Sequence, residues 1–218
     1  MRSNESRRTF TRSAGASGVK TIDDAMRQEV TVGATGGSTS SQYPKAMNAL
    51  LGTKFKIILG YPGGNDINLA MERGEVAVRG SNSWGAWKAT RPDWLRDKKI
   101  NILVQTALEE EAELTQMGVP AMWGFVKNDL DRKAAELVVS QQIFGRPYIL
   151  PPGTPEAQVK ILREAFDKTF KDPEFLEDAK KSRIDIAPSS GEKVQDLVAR
   201  IFASPADVVD RAKRIIQP

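Results

Sequence analysis

The sequence predicts an α/β fold with parallel strands, and three features carry that expectation. Two apolar runs, Val30-Thr31-Val32 and Phe55 to Leu59, each lead through a glycine-rich turn into a stretch with helical periodicity. A third run, Ile100 to Gln105, is apolar enough to be a strand buried in a sheet. After Pro151-Pro152-Gly153 the pattern changes to helices announced by their caps.

The elements follow in order. Thr21 caps a short helix through Met26, with Asp23 and Asp24 complementing the dipole in its first turn. The strand Val30 to Val32 leads through Gly33-Ala34-Thr35-Gly36-Gly37-Ser38-Thr39 into a helix from Ser41 to Leu51, with Ser38 or Thr39 as N-cap and Gly52 as the stop. Phe55 to Leu59 leads through Gly60-Tyr61-Pro62-Gly63-Gly64-Asn65 into a helix from Asp66 to Arg73 whose apolar side is Ile67, Leu69, Ala70 and Met71. Gly74 ends it, and Glu75 to Val78 reads as the next strand.

Gly80 to Ser83 reads as a third glycine and hydroxyl turn, followed by Trp84 and Trp87 as a packed i, i+3 pair. Pro92 to Leu95 is a helical turn, the acidic run Glu109 to Glu113 a solvated face, and Asp129 to Ile143 a helix. Arg146 to Gly153 is extended because proline and the residue before it avoid the α region, and it marks the internal boundary. Beyond it, Thr154-Pro155, Asp172-Pro173, Ser189 with Glu192 as a capping box, and Ser204-Pro205 open helices. Their stripes, Val159-Leu162-Phe166-Phe170 and Val194-Leu197-Val198-Ile201-Phe202, read as core, while Ile184 to Ile186 is a short strand.

The glycine turns suggest an anion site. Glycine takes positive φ and lets a ligand approach the backbone, and the first N–H groups of a helix have no intrahelical partners. Neither turn has the Gly-Lys-Ser/Thr ending of a phosphate loop or the G-x-G-x-x-G spacing of a dinucleotide site, so a nucleotide is the weaker expectation. The alternative is two tight βα connections with ordinary caps.

Of the 218 residues, 40% are hydrophobic and 28% charged, enough for one domain or two small lobes, and no run approaches the roughly 20 apolar residues that span a bilayer. The chain has neither cysteine nor histidine. That excludes disulfides, thiolate metal sites and Ser-His-Asp chemistry, and no catalytic, metal or cofactor site is expected. Residues 1 to 20 hold five of the 32 basic residues and one of the 28 acidic ones, so the net charge of +4 belongs to the N-terminus and no nucleic-acid partner is expected. Ser6 to Arg12 resembles a twin-arginine export motif without the apolar stretch that should follow. It reads as a disordered basic extension ending in a short strand around Phe10.

Several motifs together, Gly33 to Ser38, Phe55 to Gly64, Met71 to Val76, Pro151 to Pro155 and Lys171 to Phe175, resemble the substrate-binding proteins of tripartite tricarboxylate transporters, the Bug receptors. The resemblance covers Gly18 to Pro218. It implies an α/β, periplasmic-binding-protein-like (type II) fold with one nearly complete lobe plus the C-terminal helical part of the other. The divisions are then residues 1–20, a basic extension; 21–145, the ligand-binding lobe; and 146–218, the hinge return and helices of a first lobe whose sheet is absent. It further implies an extracytoplasmic binding protein without enzymatic activity, for a small organic anion: a di- or tricarboxylate, an aromatic acid or an acidic amino acid. Its partner would be the membrane permease of the transporter.

The expected ligand residues are Thr35, Gly36, Gly37, Ser38, Thr39, Gly63, Gly64, Asn65 and Ser81. Two departures stand out: similar proteins usually carry an aspartate where this chain has Ala77, and they are about half as long again. The resemblance implies a periplasmic address, whereas the chain as written, lacking a complete signal, would stay in the cytoplasm. Two further readings are an enzyme acting on a phosphorylated or carboxylated molecule, with Asp66 and Glu75 the carboxylates nearest the turns, and a non-functional gene fragment.

Overall fold

Strand β2 (Val30–Gly33) is a short run whose Val30 and Val32 are buried, and it pairs in parallel with β3 (Phe55–Ile58) in the register Val30↔Phe55 to Gly33↔Ile58. On its other side lies β4 (Val78–Ser83), also parallel, with Val32↔Val78 and Gly33↔Arg79. The computed structural model describes residues 8–13, 18–145, 147–182, 184, 186 and 188–217. The sheet has five strands in the order β3-β2-β4-β1-β5, where β1 is Arg8–Ser13 and β5 is Ile100–Gln105. β1 runs antiparallel to both its neighbours, with Thr9↔Asn82 on β4 and Thr9↔Gln105 on β5.

The expected short strand around Phe10 is present and runs from Arg8 to Ser13. It is an inner strand, hydrogen-bonded on both edges. Ser6 and Arg7 of the arginine motif lie outside the described residues, as do Arg146 at the start of the extended stretch and Asp185 of the expected Ile184 to Ile186 strand.

Local chemistry sets the helices. Thr21 and Asp24 form a reciprocal capping box on α1 (Ile22–Arg27). Ser38 caps α2 (Thr39–Leu51), two residues earlier than the periodicity suggests, and Gly52 ends it at φ 75°. The carboxamide of Asn48 ties that end of α2 to the sheet: Nδ2 donates to the Phe55 carbonyl at 2.8 Å, and Oδ1 accepts from the Phe55 N–H at 2.9 Å. Helix α3 (Gly64–Glu72) begins two residues before the expected Asp66 and is followed by Gly74 at φ 75°.

The expected strand Glu75 to Val78 starts late. Val78 is its first residue, and Gly80 to Ser83, expected as a turn, is its continuation. Pairing explains the difference, because β1 pairs with Val78, Arg79, Asn82 and Ser83 on either side of a register shift at Gly80-Ser81, and a local reading of glycine and hydroxyl residues cannot see that ladder.

Gly80 also sets the depth of the α2 layer. A Cβ there would stand 2.5 Å from Pro44 Cγ and 2.7 Å from the Ser40 carbonyl oxygen, both on α2. The core between α2 and the sheet holds Val32, Tyr43, Met47 and Val78. On another face, α4 (Trp84–Thr90) and α5 (Pro92–Arg96) bury Trp84, Trp87 and Trp94 with Ile67 and Met71 of α3. Trp87 stacks at a tilt on Trp94, centroids 5.7 Å apart.

The acidic run is only partly a solvated face. Glu111 is buried, its N–H donating to Gln105 Oε1 at 2.8 Å. Glu113, on α6 (Ala112–Gln116), accepts from Trp84 Nε1 at 2.7 Å and pairs with Lys88 at 3.0 Å. Those bonds, the indole's first, hold its carboxyl below the usual range.

Helix α7 (Asp129–Ser140) runs on into a 3-10 turn, Gln141–Phe144. Four helices follow: α8 (Glu156–Thr169), α9 (Pro173–Lys181), α10 (Gly191–Phe202) and α11 (Ala206–Ile216). The cap of α10 is Ser190, one residue after the expected Ser189.

The stripes read as core are mostly uncovered. Helix α8 has no buried residue, Phe202 of α10 is 85% exposed, and the aromatic rings of Tyr148, Phe166, Phe170 and Phe175 touch one another in a chain. No described strand lies against α8 or α10, because all five strands belong to the sheet around β4. Helix α11 differs. Ala212 and Ile215 enter the main core, and Arg211 Nε bonds Asp131 Oδ1 at 2.5 Å, so this last helix packs mainly with α7 and α2.

Two predictions follow from the packing. Gly80→Ala should destabilise the fold by about 1–3 kcal/mol in chemical denaturation, the usual cost of overpacking, because the Ser40 carbonyl is backbone and cannot rotate away. The Arg211 bond holds the Asp131 carboxyl below its usual range, so its contribution is present above the unfolded value of about 4 and is lost as pH falls through the folded value. Hydrogen exchange at neutral pH should protect α11 more than α10, and Asp131→Asn should loosen α11 by roughly 1–2 kcal/mol. Equal protection of the two helices would contradict this packing.

Candidate ligand-binding site

Both glycine turns leave the same edge of the sheet, since Gly33 and Ile58, the last residues of β2 and β3, are register partners. Ala34 N–H donates to the Ile58 carbonyl at 2.9 Å, which fixes where the first turn begins. Thr35, Ser38 and Ser40 then bring three hydroxyls together: Thr35 Oγ1 to Ser38 Oγ is 2.6 Å, Ser38 Oγ to Ser40 Oγ 2.8 Å, and Thr35 Oγ1 to Ser40 Oγ 3.0 Å. Thr35 N–H donates to Ser40 Oγ at 3.0 Å, and Ser40 N–H to Ser38 Oγ at 3.2 Å.

What this leaves open is backbone. Gly36 and Gly37 are exposed, and the N–H groups of Gly36, Gly37 and Thr39 have no hydrogen bond to a described residue. They stand at the N-terminus of α2, a 13-residue helix whose dipole adds partial positive charge there. The reason for the glycines differs from the expected one. Neither Gly36 nor Gly37 has positive φ, and an added Cβ on either would meet no atom within 4 Å. They keep the space over the turn empty; they are not needed to bend it.

Ser81 on β4 reaches this turn, its hydroxyl donating to Thr39 Oγ1 at 3.3 Å, but it is itself buried. Of the nine expected residues, Thr35 to Thr39 and Ser81 thus form one group. Gly63, Gly64 and Asn65 form the neighbouring one, where Gly63 is the extended N-cap of α3 at φ −159° and makes no side-chain cap bond. In this second turn Gly60 is the residue in the left-handed region, at φ 106°.

The sequence reading missed Arg79. Its guanidinium donates to Asn68 Oδ1 at 2.9 Å, Asn82 Oδ1 at 3.1 Å and the Ser81 carbonyl at 3.3 Å, and lies 5.4 Å from the Trp87 ring centroid. It occupies the space a side chain on Gly64 would need. The available signal was an arginine set within an otherwise small and apolar run, Val76 to Gly80. Asp66 and Glu75, considered for catalysis, are both exposed, and Glu75 pairs with Arg73 at 3.7 Å.

The nearest match to a roomy cavity is elsewhere. A space of about 480 Å³ opens between α4 and α9, lined by Lys88, Ala89, Leu176, Lys180 and Ile184, and it shares no residue with the turns. Its walls are mainly apolar side chains and two lysines, one already paired with Glu113, whereas the turns offer unpaired backbone donors.

The chain is similar in fold to a TctC solute binding protein from Polaromonas, crystallised without ligand, with TM-score 0.59 and 18% identity over 91% of this chain. The chain has a solute-binding-protein fold. R. palustris Rpa4515 with adipate is similar as well, with TM-score 0.61 and 15% identity over 95% of this chain. The α/β, periplasmic-binding-protein-like architecture implied by the family resemblance is thus the one found. The chain spans 64% and 65% of the lengths of these two proteins. No protein-family model matches the sequence, and no curated protein does.

Within this solute-binding fold the first turn rests on its cap. Ser38→Ala should cost about 1 kcal/mol in urea denaturation, as other N-cap losses do, because one hydroxyl serves both the Ser40 N–H and the Thr35 hydroxyl. No change in midpoint would mean that the turn is held from elsewhere.

Proposed function

We propose that this chain is the larger part of a solute-binding protein of the tripartite tricarboxylate transporter family, which takes a small carboxylate at the turn Thr35 to Thr39. The observation that carries the reading is the cluster of N–H groups of Gly36, Gly37 and Thr39, without partners among the described residues, with the two glycines exposed under open space at the N-terminus of α2. Such donors match carboxylate oxygens and need no cationic side chain.

Gly63, Gly64 and Asn65 border the same crevice, and Ser81 steadies Thr39 from β4. The adipate bound to R. palustris Rpa4515 supports a straight-chain dicarboxylate as a ligand to try first. Binding without chemistry fits the residues at the turn, which are hydroxyls and backbone with no acid or base among them. On this reading the whole protein works outside the cytoplasmic membrane and delivers its ligand to a permease.

Two or three charge-assisted hydrogen bonds contribute roughly 4–8 kcal/mol before association costs, so this wall alone gives millimolar affinity or weaker. The test is calorimetry and thermal shift with adipate on the wild type and on Gly36→Val. A Cβ at position 36 touches nothing in the protein, so the variant should keep its circular dichroism while its side chain fills the ligand's space and weakens binding at least about tenfold. A folded variant that binds as tightly as the wild type would remove the turn from the site.

A further inference from the structure

Helix α8 buries none of its 14 residues, and its two sides are built differently. One side leans on its neighbours. Val159, Arg163 and Phe166 are half-buried there; Arg163 donates to Glu192 Oε1 at 2.8 Å and Gln195 Oε1 at 3.2 Å on α10, and the Phe166 ring touches that of Phe170. The opposite side is open. With about 3.6 residues per turn, Ala157, Ile161 and Ala165 make one i, i+4 ridge along it, with Ile161 64% exposed and Leu162 beside it 50% exposed.

The adjoining i, i+4 ridge alternates in charge: Glu156, Lys160, Glu164, Lys168. All four side chains are exposed, and none forms an ion pair with a described residue. Lys160 precedes Glu164, which is the weaker order for a pair within one helix. An alternating ridge alone is an ordinary solvated face; this one borders an apolar ridge that faces water.

The two ridges share a symmetry. Reversed against a second copy, the charged ridge is its own complement: Glu156 meets Lys168, and Lys160 meets Glu164, each pair occurring twice. The apolar ridge reads the same in both directions, so Ala157 meets Ala165 and Ile161 meets Ile161 of the second copy. Their centres, Leu162 and Ile161, are adjacent, so one two-fold axis serves both ridges. The alanines let the helix axes approach around the isoleucine. A parallel placement in register would set like charge on like.

We propose that the outer face of α8 is a homodimerisation surface, occupied by α8 of a second copy of this chain packed antiparallel about a two-fold axis at Ile161. The apolar ridge supplies the association, and the charged ridge fixes direction and partner, because exposed ion pairs add little affinity while opposed like charges reject a wrong pairing. The surface shares no residue with the turn Thr35 to Thr39, so dimerisation and ligand binding are separate properties.

Sedimentation equilibrium on the full chain tests this. At about 100 µM the wild type should be mainly dimeric, with a dissociation constant that rises with salt. Ile161→Lys should raise that constant at least about tenfold with circular dichroism unchanged, because the side chain is exposed in the monomer. Lys160→Glu and Glu164→Lys should each weaken their own homodimers, since each sets like charges opposite one another. Mixed in equal amounts, the two variants should form heterodimers in excess over either homodimer. Mixing restores every pair across the interface and leaves the charges within each helix as they were, so a local effect on helix stability cannot produce that result. A monomeric wild type, a dimer indifferent to Ile161→Lys, or mixed variants without preference for one another overturns the proposal.

Discussion

The site depends on how closely α2 approaches the sheet, and Gly80 sets that distance. With no side chain at this position, Pro44 and the Ser40 carbonyl come down onto β4, and the first residues of α2 are carried with them. Ser81, the next residue, is thereby within reach of Thr39. Pro44 stands in the second turn of α2, where it removes one intrahelical donor, and its ring fills the contact with Gly80. At the other end, Asn48 holds the Phe55 backbone with both carboxamide atoms. A helix fixed at both ends against two different strands is a rigid mount, and the turn ahead of Ser38 inherits that rigidity.

The central strand adds a second constraint. β1 lies between β4 and β5, antiparallel to both, so neither of those strands presents an unpaired edge to the other. It also changes what the basic N-terminus is. Residues from Arg8 onward that look like part of an export motif serve as sheet, and a strand in that position contributes ladder bonds on two sides. Removing it would divide β5 from the rest of the sheet.

The parts of the fold legible in the sequence were those fixed by local chemistry. The cap at Thr21, the stop at Gly52, the strand Ile100 to Gln105 and the strand-turn-helix order around both glycine turns all follow from neighbouring residues. Less legible were features decided by partners distant in sequence. Gly80 to Ser83 has the composition of a turn and becomes strand because β1 pairs with the residues on either side of Gly80-Ser81. The stripes of α8 and α10 have the composition of core, yet they stay exposed because no described strand faces them; α11, with a similar stripe, is buried because α7 offers Asp131 and a matching apolar face. At the site itself the location of the first turn was readable. The reason for its glycines was not, since empty space above a residue has no sequence signature.

Recognition through backbone and recognition through a side chain differ in what they can discriminate. N–H groups at a helix end bind an anion by charge and approach, so on the proposed reading the turn Gly36-Gly37-Ser38 would accept many acids, and substitutions around it would alter affinity more than preference. Discrimination requires a group whose satisfaction depends on a particular second feature of the ligand. Arg79 lies next to the first turn in the sheet register, a cation fixed over Trp87 by its bonds to Asn68, Asn82 and the Ser81 carbonyl.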